Sequence, residues 1–570
     1  MRIKSLFIIL LSMALIQSCT DSQKEFVPNL SEDILINQVG YPTGSNKQAL
    51  LRKEVETFEL RDTTGAVVYK GATANRRYWE LSGDTVSVAD FSDFTRAGEY
   101  MLCINDDECS YPFRIGESLY DELADAALKS YYYARCGFAI EEAFGGQWNR
   151  AAGHPDTSVL VHASAADKIR AEGTAISSPG GWYDAGDYGK YIVNSSITTW
   201  TILQSLALNS EYHENQNLNI PESGNELPDV LDEALVNLQW MMTMQDPNDG
   251  GLYHKLTTKG FDDFIMPHEA YKQRYVMQKS TAAALDYAAT ISAGARVVGQ
   301  HGLDDLAQEM EASALKAWDW AIKNPAQFYL QPEDISTGAY PDTSYLDERF
   351  WASAELYVLT GEPRFKEALE DNYQLPITPK WDVVQTLGVI SLLTSDKREE
   401  FKSMEDDYLA YVDGMLQKEQ LSPYLISMDQ FAWGSNSDVA NDGMLKLVAN
   451  QLSPDRRYVA SAQNDLHYIL GRNATGYSFV TGFGAKTPQA PHNRIIAMDG
   501  INAPIPGYIV GGPNTIVLTD CAPDSVWRSN YPAASYTDTQ CSYSTNETAI
   551  NWNAPLVFLA TGLSQNENVN

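Results

Sequence analysis

The pattern of apolar and polar positions changes character near residue 116. Before it, short runs alternate with a period of two and favour β-branched and aromatic residues: Thr57–Leu60, Val67–Lys70, Thr85–Ala89 and Tyr100–Ile104. Turn residues separate them at Thr64-Gly65, Ser82-Gly83 and Ala97-Gly98. Several short strands at this spacing predict a small immunoglobulin-like β-sandwich over residues 34–115. After it, apolar residues recur three and four apart. Ser118–Tyr133, Val193–Leu208, Leu227–Gln245, Thr281–Gly299, Leu303–Lys323, Asp347–Thr360, Val383–Leu393, Glu400–Lys418, Asp438–Leu452, Tyr458–Leu470 and Thr548–Leu563 all read as helices. Leu227–Gln245 is the clearest, with Pro228 in the first turn and Val230, Leu231, Ala234, Leu235, Leu238, Met241 and Met242 on one face. Residues 116–570 are therefore predicted to be mainly α. Their longest connections, Arg150–Gly181, Asp246–Lys279 and Gly471–Asn546, are rich in Gly and Pro. Loops of that length without secondary structure are usually functional.

With 44% hydrophobic and 20% charged residues, the chain has the balance of a globular protein. A net charge of −34 argues against nucleic acid and against anionic membrane surfaces as partners. The 32 Tyr and 12 Trp suit a cleft for sugars, whose C–H faces stack on flat rings, although such rings also fill cores.

Residues 1–18 read as a signal peptide, with Arg2 and Lys4 ahead of the apolar run Leu6–Ile16. The stretch Leu15–Cys19 resembles a bacterial lipoprotein signal. It predicts lipidation at Cys19, a tether over residues 19–33, and an exported protein at the outer membrane, cell surface or periplasmic face. Five cysteines remain. Cys103 and Cys109 flank a predicted turn and are expected to bridge it, Cys521 and Cys541 to close a late loop, and Cys136 to stay reduced.

The densest chemistry lies in GWYDAGDYGKYIVN, Gly181–Asn194. Asp184 and Asp187 are three apart with Gly186 between them, so both can address one point, a metal or a water to be deprotonated. An Asp-rich turn capping a helix would look the same. A further carboxyl, Glu547, stands in SYSTNETAINWNAP, and its plain reading is a first-turn residue of the last helix. His492 and Arg494 lie in the Pro-bounded PQAPHNR.

Together these segments resemble the family 9 glycoside hydrolases. LINQVGYPTGSNKQALL resembles the opening of that family's β-module. GGWYDAGDYGKY, NELPDVLDEALVNLQWMMTMQ, QKSTAAALDYAA, DERFWASAELY, WGSNSDVAN, PHNR and TNETAINWNAP follow in the family's order. The resemblance implies an (α/α)6 barrel behind the sandwich, a monomer acting on β-1,4-linked glucans, and hydrolysis with inversion. Xyloglucan and mixed-linkage glucan belong to the same substrate class. It implies Asp187 as general base, Asp184 as the residue that positions the water, and Glu547 as general acid. His492 and Arg494 match substrate-binding positions, Tyr543 the Tyr ahead of the acid, and Trp433, Trp351 and Tyr340 are candidates for sugar contacts. An inverting pair needs room for water, with carboxyls roughly 6.5–9.5 Å apart.

Three departures stand out. Asn493 replaces a His of the family's usual P-H-H-R. Ser542 replaces an Asp and removes a charge near the acid. Gly153 stands where many relatives place the second Cys of a structural zinc site, leaving Cys136 and His154 short of four ligands. No cofactor is expected, although structural calcium is compatible with the family. The rival readings are an exo-acting enzyme on the same fold and a non-catalytic glycan-binding lipoprotein.

Overall fold

The computed structural model describes residues 26–105, 107–517, 519–521 and 528–567. The signal segment, Cys19 and the first residues of the tether lie outside them. Among the described residues no helix is long and apolar enough to cross a membrane.

Short strands between Asn29 and Gly116 form the sandwich. It begins earlier than the pattern predicts, because Asn29–Leu30 at the end of the expected tether pairs with Glu108–Cys109. The strand predicted at Val67–Lys70 runs on to Trp79. Its first part pairs with Thr57–Asp62 and its second with Asp84–Asp90, with a register shift between Ala74 and Arg77 where it passes between sheets. Cys103 and Cys109 form a disulfide, as do Cys521 and Cys541, and Cys136 is a buried free thiol.

Twelve helices among the described residues build an (α/α)6 barrel: α1 (Asp121–Ala134), α2 (Ile192–Leu208), α3 (Asp229–Thr243), α4 (Thr281–Gln300), α5 (Asp304–Lys323), α6 (Leu346–Thr360), α7 (Pro363–Asn372), α8 (Gln385–Leu393), α9 (Lys402–Leu421), α10 (Ser435–Leu452), α11 (Arg456–Ile469) and α12 (Ile550–Glu567). The even-numbered helices form the inner ring, which closes where α12 packs on α2, and the odd-numbered ones surround it. Inner helices are buried nearly all round. In α4 the small residues of TAAALDYAATISAGA let neighbours approach closely, and Ser280 caps the helix by accepting from the Ala283 N–H (3.3 Å). Outer helices are amphipathic, as in α11. The pattern gives no sign of α7, ten residues of which most are polar.

One face of the sandwich is part of the barrel's core: Leu35, Leu50, Trp79, Val86 and Val88 pack in the same cluster as the helices. Asn37 Nδ2 pairs with His467 Nδ1 (2.9 Å), and Trp79 packs on Tyr424 (4.6 Å between ring centroids). The three long connections are not free loops, and the last carries short helices at Arg494–Met498 and Tyr543–Asn546. Val159–Val161, Ala175–Ile176 and Lys190–Tyr191 join Lys255–Thr258 and Arg274–Val276 in a five-stranded sheet over one end of the barrel. Strands this short leave no periodicity to read.

Candidate active site

At that end lies a cleft of about 670 Å³. Asp187, Glu547, His492, Arg494, Tyr543, Tyr340 and Trp433 all line it. Asp184 lies just behind, 1% exposed.

The aspartate loop is built from its own neighbours. Gly180 and Gly181 adopt left-handed backbone, and a Cβ on Gly181 would lie 2.7 Å from the Trp240 ring. The Asp184 N–H donates to Gly189 O (3.0 Å), which closes the turn. Asp187 Oδ2 accepts from the Gly189 N–H (3.0 Å) and the Tyr191 hydroxyl (3.1 Å). Asp184 accepts from Asn194 Nδ2 in the first turn of α2 (2.9 and 3.1 Å) and from the Tyr340 hydroxyl (2.8 Å). Burial, then the charge of Asp187, pushes the Asp184 carboxyl up to about 8, against the pull of those donors. A protonated Asp184 adds no second negative charge beside Asp187.

Glu547 is not in the first turn of the last helix. The one-turn helix Tyr543–Asn546 ends before it, α12 starts at Ile550, and Glu547 is extended between them (φ −73°, ψ 153°). Other loops hold its backbone there. The His492 N–H donates to Asn546 O (2.8 Å), and the Gly511 N–H to Glu547 O (2.9 Å). Its carboxyl accepts from the Gly186 N–H (3.3 Å). Burial, then the charge of Asp187, raises it well above the usual carboxylate range. Gly186 is where the segments meet. A Cβ there would sit 2.2 Å from His492 O and 3.0 Å from Glu547 Oε1.

His492 Nδ1 pairs with Gln540 O (2.6 Å), and burial lowers its pKa, so the ring is neutral near pH 7. Arg494 does not pair with Asp187. Its guanidinium donates to Gly186 O (2.6 Å) and Asp262 O (2.8 Å), bracing the aspartate loop from below. Asn493 is buried and serves the scaffold: it accepts from the Ile495 and Ile496 N–H groups (2.9 and 3.2 Å) and donates to Thr548 Oγ1 (3.0 Å). Asp520, beside the disulfide at Cys521, reaches Ser542 with its charge already paired to Arg528. Asp520 Oδ2 accepts from Ser542 Oγ (3.1 Å), Ser544 N (3.0 Å) and Ser544 Oγ (2.7 Å).

Trp351 does not line the cleft. It is 0% exposed on inner helix α6, edge-on to Trp200 (6.0 Å), and cannot meet a sugar. Trp381, Trp552 and Phe261 line the cleft instead. Trp381 stands edge-on to Tyr340 (5.2 Å), and Trp433 packs beside Tyr543 (5.5 Å). No periodic signal marks Trp381, but its place in the connection after Pro376 and Pro379 distinguishes it from helical Trp351.

The residues around Cys136 do not fit zinc. A Cβ on Gly153 would fall 2.3 Å from the Pro267 carbonyl carbon, so no cysteine fits at that position as the chain is folded. His154 Nδ1 is engaged with the Tyr183 hydroxyl (2.9 Å). Asp156, the nearby carboxylate, pairs with Lys190 (2.8 Å) and Arg274 (3.0 Å), two cations that would repel a metal. Among the described residues no three His, Cys, Asp or Glu side chains converge as a metal site.

A helical double barrel with three carboxyls at one end and a sandwich in front defines a glycoside-hydrolase architecture, and comparison with known proteins agrees. Residues 120–560 match glycosyl hydrolase family 9 and residues 29–108 match the cellulase N-terminal Ig-like domain. The chain belongs to glycosyl hydrolase family 9. It is 40% identical to a xyloglucan-specific endo-β-1,4-glucanase of Bacteroides ovatus, over 98% of this chain and 97% of that one. It is 31% identical to endoglucanase D of Acetivibrio thermocellus, over 93% of this chain and 83% of the relative. A solved family 9 structure from Bacteroides ovatus superposes with a TM-score of 0.87 at 40% identity, covering 95% of this chain and all of that one.

Proposed function

We propose that the chain is an inverting endo-β-1,4-glucanase acting on xyloglucan or a related β-glucan. The observation that carries this reading is the convergence of Asp187 and Glu547 on one cleft, joined through Gly186, with Asp184 buried behind Asp187. Asp187 takes a proton from water as the water oxygen attacks the anomeric carbon. Asp184 orients that water. Glu547, which burial keeps protonated, gives its proton to the departing glycosidic oxygen. The neutral His492 and the rings of Tyr543, Trp433, Trp381 and Tyr340 hold the sugars by hydrogen bonds and stacking. Asn493 has no part in holding them.

The Bacteroides ovatus relative supports xyloglucan as the first polymer to test. Incubation with xyloglucan, mixed-linkage glucan, glucomannan and cellulose, with products sized over time, should give long oligosaccharides early from at least one of them. Release of only mono- or disaccharides from the outset would contradict endo action. No hydrolysis of any of them would support the binding-protein reading. We also propose anchoring through Cys19, so that C19A should leave the membrane fraction; unchanged membrane association of that variant would sink it.

A further inference from the structure

Lys255 is fully buried behind the cleft, directly across the small sheet from Tyr191. Its Nζ donates to Gln331 Oε1 (3.0 Å), Thr337 Oγ1 (3.3 Å) and Gly338 O, all neutral oxygens. It lies 5.6 Å from the Tyr191 ring centroid and 5.3 Å from that of Tyr329. Burying an ammonium without a carboxylate partner costs stability that an apolar side chain would not. The groups it holds both lead to the aspartates. The Thr337–Gly338 turn continues into Tyr340, whose backbone is left-handed (φ 46°) and whose hydroxyl donates to Asp184. The Tyr191 hydroxyl donates to Asp187. Space is tight: a Cβ on Gly338 would meet Tyr340 at 3.1 Å and the Tyr191 hydroxyl at 3.2 Å.

We infer that Lys255 is a positioning residue for the water side of the reaction, fixing Tyr191 and the Tyr340 turn so that their hydroxyls hold Asp187 and Asp184 in register. This rests on reading those aspartates as the groups that handle water. Burial draws the ammonium down to about 7, opposed by the Asp187 charge. The titratable groups around it are Asp187 and Tyr191 on the aspartate loop, His254 just before it in sequence, and Tyr329. His254 is held neutral near pH 7 by burial, and burial keeps both tyrosines protonated there. Asp184 and Tyr340 lie one contact further on. The charged lysine is therefore present below about pH 7 and lost above it.

The test compares K255M, and K255Q in case Met fails to fold, with wild type and D187N from pH 5 to 9, on polymer and on nitrophenyl cello-oligosides. At pH 6, kcat should fall about 10- to 100-fold, as expected for a displaced reacting group, with KM little changed. The loss should be equal on both substrates, since the leaving-group side is untouched. The ratio of wild-type to variant kcat should shrink above pH 7, because wild type loses the same charge there. A merely structural lysine would give a ratio constant with pH, and that result overturns the inference. So does wild-type kcat in the variants beside an inactive D187N. A fully active D187N would overturn the water-side reading itself.

Discussion

The two halves of the catalytic pair are held in place in opposite ways. Asp187 takes its donors from Gly189 and Tyr191 and Asp184 takes one from Asn194, all within ten residues along the chain, and only the Tyr340 hydroxyl reaches Asp184 from further away. Glu547 has no such local support. Its backbone is fixed by His492 and Gly511 from distant loops, and its carboxyl by Gly186, 361 residues away in sequence. The difference suits the chemistry. A base and its water need several donors at fixed angles, which a short loop provides. An acid that must keep its proton needs few donors and dry surroundings, which only tertiary packing provides.

Removing each group should have the largest effect. Either D187N or E547Q should cost on the order of 10²–10⁴ in rate. E547Q should be partly spared on nitrophenyl glycosides, which leave without a proton. D187N should not be, although added azide should restore part of its rate. Equal sensitivity to the leaving group in both variants would mean that the two sides are not divided as described.

A second effect concerns stability. Glu547 is raised in the fold above its ordinary value of 4.5, so the folded chain keeps a proton that the unfolded chain has released. The stability from this group is fully present below pH 4.5 and is lost as pH rises through the folded value. E547Q should match wild type in unfolding temperature near pH 4 and exceed it increasingly toward pH 8. Parallel unfolding curves across that range would remove the claim that a dry pocket sets the proton on the acid.

The smallest effect sharpens the point about scaffolding. N493A removes a cap and a bond to Thr548, and should cost about 0.5–2 kcal/mol in thermal unfolding, with rate lowered only several-fold. A change in KM as large as that from H492A would instead place Asn493 among the sugar-binding groups.

Legibility in the sequence followed the same division. Local order was readable: α4 and α5 match their apolar spacing to within a residue, and the DAGD loop announced itself through its glycines and flanking rings. Long-range order was not. Trp351 falls in a helical run and Trp381 in a connection, but nothing in the spacing says that the first is core and the second lines the cleft. Asp520 meets Ser542 from 22 residues away in sequence. The small sheet that carries Lys255 uses strands of two to four residues, too short to show a period.

The central claim is that water enters on the Asp187 side while Glu547 protonates the leaving oxygen on the other. NMR of the first product released from a β-linked glucan tests it most directly. An α-anomer that later mutarotates to the β form is the predicted result, and a β-anomer as the first product would contradict it.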